Sequence, residues 1–196
     1  MVLSRAGGRT AEREAMRIVA GALKGRILAD PKGHRTHPMS EKIRGALFNA
    51  LGDISGLTLL DAFTGTGAIA IEAISRGAKS VVAIDYDKEA FLCAHGNVKL
   101  LQLEKQIKVL KTNAKAWSNN NLEKIFDIVV ADPPFDEVND ALLEKIARHC
   151  KLEGLLILSL PGDYTPRRND AFELLADKNY GDAKLLFYRK VNSQQR

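Results

Sequence analysis

Three aspartates and two glycines are the residues of this chain whose types and spacing could do chemistry. Asp61 closes the apolar pair Leu59-Leu60, and Ala62-Phe63-Thr64-Gly65-Thr66-Gly67 separates it from the apolar run Ala68-Ile69-Ala70-Ile71. That order reads as a buried strand, a tight glycine turn and the start of a helix, the opening unit of a doubly wound α/β domain. Ligands in such sheets bind at the carboxyl ends of the strands. A dinucleotide would bring its pyrophosphate to the helix N-terminus, where the fixed charge of Asp61 opposes it. A ligand with a positive end suits a carboxylate there. S-adenosylmethionine (AdoMet), with its ammonium and sulfonium, is such a ligand, and glycines let the backbone approach it closely. The plain alternative is that Asp61 only caps a turn.

The second aspartate, Asp132, opens Asp132-Pro133-Pro134-Phe135 at the end of the apolar run Phe126-Asp127-Ile128-Val129-Val130-Ala131. Two prolines remove two backbone donors and stiffen the turn, which leaves carbonyls free to accept hydrogen bonds. Asp132 adds a side-chain acceptor, and Phe135 adds a flat apolar face. A planar base bearing an exocyclic amine could stack on that ring while its N–H groups meet the acceptors. Alone, the motif could equally be a strand terminator with an apolar plug. The third aspartate, Asp85, ends Ser80-Val81-Val82-Ala83-Ile84 and lies eighteen residues beyond Gly67. An acid so placed commonly holds a ribose diol.

The elements that must position these residues follow in chain order. Residues 1–15 lack apolar periodicity and read as a flexible extension. Residues 16–39 read as a basic hairpin and loop: Arg17–Gly21 and Gly25–Leu28 form two short strands, and a loop rich in His, Gly, Pro and Arg follows from Asp30 to Pro38. Ser40 caps a helix with Ile43, Leu47, Phe48 and Leu51 on one face, which opens the main domain, 40–196. Strand and helix then alternate. Strands are expected near 57–62, 80–85, 107–110, 126–131 and 155–160, with helices over 67–76, after Asp87 and over 139–149. Gly77 stops the first of these helices. Two final strands, 172–177 and 184–190, flank Asn179-Tyr180-Gly181.

At 196 residues the chain suits one domain with a small appendage. Cys93 and Cys150 have no metal-ligand spacing and read as reduced core thiols. His34, His37, His95 and His149 form no ligand pattern, so no metal is expected. No run is long enough to span a membrane and no signal peptide is visible, which predicts a cytoplasmic protein. The net charge is +5. Residues 1–44 hold ten Lys/Arg against four acids, so that segment is +6 and the remainder is −1. A concentrated basic arm suits a polyanion, nucleic acid first; the alternative is a solvated tail.

From Met16 to Val191 the chain resembles the class I AdoMet methyltransferases, and most closely the RsmD-type family that methylates guanine N2 in small-subunit (16S) ribosomal RNA. The likeness rests on Met16-Arg17-Ile18-Val19-Ala20-Gly21 with Lys24-Gly25-Arg26, on Arg35-Thr36-His37-Pro38-Met39-Ser40 leading into Arg44-Gly45-Ala46-Leu47-Phe48-Asn49, on Leu60–Gly67, and on Asp132–Phe135. The family usually reads Arg-Pro-Thr where this chain has Thr36-His37-Pro38-Met39-Ser40. Relatives commonly carry an Asp where Asn113 stands, and an Asn oxygen can accept the same bond. The resemblance implies a Rossmann-like fold: a mostly parallel seven-stranded sheet with an antiparallel last strand and a small basic N-terminal β-hairpin. It implies cofactor contacts at Thr36, Asp61, Phe63, Thr64, Gly65, Gly67, Asp85, Tyr86, Asn113, Ala114 and Asp132. Asp132, Pro133, Pro134 and Phe135 would receive the base, and Arg17, Lys24, Arg26 and Arg35 would meet RNA. The expected partner is ribosomal RNA, within the small subunit or an assembly intermediate, and the expected state is a monomer. Three other readings share these residues: an adenine-N6 methyltransferase, a protein glutamine methyltransferase, and a silent RNA-binding or assembly module.

Overall fold

The computed structural model describes residues 16–30 and 39–192. One sheet of seven strands organises them: β1 (Thr58–Asp61), β2 (Ser80–Asp85), β3 (Ile107–Lys111), β4 (Phe126–Ala131), β5 (Cys150–Pro161), β6 (Phe172–Asn179) and β7 (Ala183–Lys190). Their order is β3-β2-β1-β4-β5-β7-β6. The first five run parallel, and β7 enters antiparallel between β5 and β6. The chain order reverses between β1 and β4, which places a crevice above their carboxyl ends.

Both faces of the parallel strands are apolar because helices cover both. On one face Leu59, Val81, Ala83, Ile128 and Val130 pack with α1 (Glu41–Leu51), α2 (Ala68–Ser75) and α3 (Lys88–Leu100). On the other, Leu60, Val129, Ala131, Leu156 and Leu158 pack with α4 (Ala114–Asn120) and α5 (Asp140–Ala147). Ser40 caps α1 as expected, its hydroxyl accepting from the Ile43 N–H. Asp87 caps α3 by accepting from the Ala90 N–H. Gly77, at φ +97°, follows the end of α2.

Residues 16–30 pack against the α1–α2–α3 face as a strap. The two strands expected there reduce to one antiparallel bridge, Arg17 to Ile27, supported by backbone bonds between Ile18 and Arg26, Gly25 and Ile18, and Leu28 and Met16. The reason is that the strap spends its other donors on helices rather than on a ladder. The Glu72 carboxylate accepts from the N–H groups of Val19 and Ala20, at 2.7 and 3.0 Å. Ser75 takes the Ala22 and Leu23 N–H groups. Asn97 of α3 accepts from the Ala29 N–H and donates to the Ala29 and Thr66 carbonyls. Gly21 has φ +83°, and a Cβ there would stand 1.8 Å from the Ser75 carbonyl oxygen. Only glycine allows that approach.

Glu72 and Arg44 are fully buried charges. Glu72 also pairs with Arg76 at 2.8 Å and with Arg44 at 3.6 Å. Arg44 in turn donates to the carbonyls of Arg17 and Met39. One buried cluster thereby fastens the strap, the entry to α1 and the body of α2.

Candidate active site

The parallel register brings the three aspartates together. Asp61 ends β1, and its neighbours across the sheet are Ala83 of β2 and Val130 of β4. Asp85 therefore tops the strand on one side of Asp61, and Asp132 follows the strand on the other. Ser159, near the end of β5, stands next in the row. A cleft of about 760 Å³ opens above these strand ends. Phe63, Thr64 and Gly65 from the glycine turn line it, with Asp85 and Tyr86 beyond β2. The opposite wall is Asp132-Pro133-Pro134-Phe135, which runs into a short 3₁₀ turn, Phe135–Glu137. Met39 and Ile43 close one side.

Asp61 is the electrostatic centre. It has no solvent exposure, and one carboxylate oxygen accepts from the Thr64 hydroxyl at 2.6 Å. The other, Oδ1, is buried with no hydrogen-bond partner among the described residues. Burial foremost pushes this carboxyl up to about 7, and the charges of Asp132 and Asp85 push the same way. A buried orphan acceptor flanked by two more acids is unfavourable unless a cation or donor completes it. These acceptors therefore fit a ligand with an ammonium end.

Asp85 is already engaged through both oxygens. Oδ2 accepts from the Gly65 N–H at 2.8 Å, and Oδ1 accepts from the Asp87 N–H at 3.0 Å. It binds the end of β2 to the glycine turn, with lone pairs left for a diol. Burial raises its carboxyl above the usual range. Asp132 has its carboxyl raised to about 6, again by burial first, with hydrogen bonding from Ser159 acting the other way. Phe135 is half exposed over the cleft. The Tyr86 hydroxyl donates to the Glu137 carboxylate at 2.7 Å, joining the two walls.

The structure separates other candidates from the cleft. Gly67 has φ +81° and caps α2, but a Cβ there would meet Ala94 of α3 at 3.3 Å. It serves helix packing, whereas Gly65, at φ +53°, faces open space. Asn113 does not line the cleft. Its side-chain oxygen accepts from the Lys115 and Ala116 N–H groups and caps α4, a helix the sequence reading did not expect. Ala114 is buried in the α4–α5 core. Thr36 and Arg35 lie outside the described residues. Arg17, Lys24 and Arg26 are exposed on the strap. Lys24 belongs to the turn held by Ser75, at the opposite end of α2 from the cleft.

Cleft residues given no site role from the sequence include Met39, Ile43, Thr66, Glu137 and Ser159. Ser159 had a signal, being the lone polar residue in Leu155–Leu160. Among the described residues no cluster of His, Cys, Asp and Glu could hold a metal, and no helix is long and apolar enough to cross a membrane.

Comparison with known proteins places this geometry. The chain is 34% identical over 142 residues to YlbH of Bacillus subtilis, covering 70% of this chain and 77% of that one. It is 32% identical over 128 residues to the ribosomal RNA small subunit methyltransferase D of Escherichia coli. That match spans 61% of this chain and 60% of the relative, less than two thirds of its length. The solved structure of yhhF from Escherichia coli superimposes with a TM-score of 0.79 at 25% identity, over 90% of this chain and 98% of that one. The family model described as conserved hypothetical protein 95 matches residues 16–189, nearly all of the described chain. The chain belongs to that family, the RsmD-type methyltransferases.

Proposed function

We propose that this protein transfers a methyl group from AdoMet to the exocyclic N2 of a guanine in small-subunit (16S) ribosomal RNA. The observation that carries the reading is the cleft lined by Thr64, Gly65, Asp85 and the Asp132–Phe135 turn, with the orphaned Oδ1 of Asp61 buried at the neighbouring end of β1. The family relatives named for ribosomal RNA support the substrate class.

When bound, AdoMet supplies a methyl group already activated on a sulfonium. Asp61 and the turn at Thr64 and Gly65 would hold its ammonium end, and Asp85 the ribose hydroxyls. Phe63 and Tyr86 would pack on the flat parts; Thr36, the other contact expected of the family, lies outside the described residues. Asp132 and the Pro133 carbonyl would accept N–H bonds from the target amine. That aims the nitrogen lone pair and stabilises the positive charge that develops on nitrogen, with Asp132 placed to take the proton the product sheds. Pro134 keeps the turn rigid, and Phe135 would stack on the base. Asn113 and Ala114 are left to their helix. The 16–39 segment, with Arg17, Lys24, Arg26 and Arg35, would meet the RNA. The setting would be the cytoplasm and the working unit a monomer.

Two measurements test the reading. Calorimetry should detect AdoMet binding to the purified protein. Small-subunit ribosomal RNA incubated with both should yield N2-methylguanosine on nucleoside mass analysis. N6-methyladenosine instead would shift the target base, and no methylated nucleoside with either RNA or assembled subunits would overturn the reading.

A further inference from the structure

The net charge of −1 beyond residue 44 conceals a second basic surface. Residues 105–122 contain Lys105, Lys108, Lys111 and Lys115 and no acidic residue, and Lys99 precedes them on α3. All five are exposed. Among the described residues none of them takes part in an ion pair. The fold gives them one location. Among the described residues β3 is an edge strand, paired with β2 alone, and Lys108 and Lys111 lie along it. Lys105 enters the strand, Lys115 stands in the first turn of α4, and Lys99 ends α3, the helix whose Asn97 also grips the strap.

This edge leads to the cleft. Lys111 is the register partner of Asp85, so the carboxyl ends of β3, β2, β1 and β4 present Lys111, Asp85, Asp61 and Asp132 in sequence. Neighbouring strands are about 4.8 Å apart, which puts the basic edge roughly 14 Å from the strand that carries the target-base turn. The strand itself extends the stripe down the side of the molecule by about 13 Å. Side chains alternate along a strand, so Lys108 and Lys111 offer their ammonium groups on the two sides of this edge, and between Lys99 and Lys115 the sole acid is Glu104.

We infer that the β3 edge is a second RNA-contact surface, which takes the phosphate backbone of the strand leading to or from the target nucleotide. This rests on the RNA reading above but assigns contacts outside the N-terminal arm. The competing role for these lysines is to guard an open sheet edge against self-association.

The test is Lys105→Gln, Lys108→Gln and Lys115→Gln combined, with Lys111 kept because it adjoins Asp85. Filter binding of a small-subunit ribosomal RNA transcript would be followed over a salt series. Each lost phosphate contact lowers the slope of log affinity against log salt by about 0.7 to 0.9. The triple variant should flatten that slope by about 2 and weaken binding at least tenfold at low salt. AdoMet affinity and the melting temperature should remain at wild-type values. Wild-type RNA binding that falls with salt, together with an unchanged slope in the variant, would overturn this inference and leave the RNA reading standing. A variant that self-associates in sedimentation while keeping the wild-type slope would identify the lysines as edge guards. Wild-type protein that binds no RNA would overturn both.

Discussion

Asp61→Asn should make the ligand-free protein more stable at alkaline pH while impairing cofactor binding. The folded carboxyl titrates near 7, against 3.8 for the ordinary group, and burial is the main cause. A folded-state pKa raised above the unfolded one means that ionisation opposes folding. The cost is absent below about pH 4, grows through the interval to pH 7, and is complete above it. Three pKa units correspond to about 4 kcal/mol as an upper bound. Relaxation and the buried amide N–H₂ that asparagine introduces reduce the gain, so about 1–2 kcal/mol at pH 8 is expected. The Thr64 hydroxyl can still donate to the amide oxygen. Losing a charge-assisted contact to an ammonium costs about 2 kcal/mol, or about thirtyfold in Kd. Denaturant melts at pH 5 and pH 8, with calorimetry of AdoMet, read both effects. Wild-type protein should lose stability between those pH values, and the variant should lose less. A variant no more stable than wild type at pH 8, with unchanged AdoMet affinity, would refute the assignment of Asp61 as an unsatisfied buried charge awaiting a cation.

Asp132→Ala should reduce single-turnover methylation by orders of magnitude, since an acceptor placed at a developing charge is worth about 3–4 kcal/mol; Asp132→Asn should be milder, and AdoMet affinity should hardly change in either. Because the Asp132 carboxyl titrates near 6 and must be ionised to offset the charge developing on nitrogen and take its proton, the methylation rate should fall as pH drops below about 6, as a pH–rate profile will record. Gly67→Val should destabilise the protein by about 2 kcal/mol or more through its left-handed backbone and the Ala94 contact, visible in thermal melts without ligand. Glu72→Gln should cost about 3–5 kcal/mol in denaturant melts, since it strips the buried Arg44 of its counter-charge and turns an amide N–H₂ toward backbone donors.

Much of this was written in local sequence. The bounds of β2 and β4 are those read from their apolar runs, because a strand buried on both faces leaves an unbroken apolar signal. The aspartates at three strand ends were legible for the same reason: each marks where an apolar run stops. α4 was missed because Lys115-Ala116-Trp117-Ser118-Asn119-Asn120 buries only one large apolar side chain and so has no helical stripe. Asn113 as its cap was visible in principle, but a short polar side chain serves a cap or a ligand equally well in sequence. Gly67 was read as a ligand contact, and the structure adds a packing reason for it, the approach of Ala94, which no local stretch of sequence reveals. The β3 lysines were hidden by summing charge over a long segment. Glu72 had a signal, being the single charge inside Ala68–Ser75, but its partners lie far away in sequence.

That distance has a consequence for how the chain must assemble. Val19, Ala20, Leu23 and Ala29 bond to groups 52 to 68 residues further along. During synthesis the strap emerges first, yet its docking surface is incomplete until residue 97 has left the ribosome. At 5–20 residues per second this imposes a wait of several seconds. Through that interval Met16, Ile18 and Leu28, all buried in the finished protein, have nowhere to go. The strap is thus made well before the surface it docks on and is among the last segments to settle, with high contact order concentrated in residues 16–30. Deleting residues through 30 to probe RNA binding would therefore remove core and leave Glu72, Ser75 and Asn97 without partners. Charge substitutions at Arg17, Lys24 and Arg26 leave the docking bonds of the strap in place.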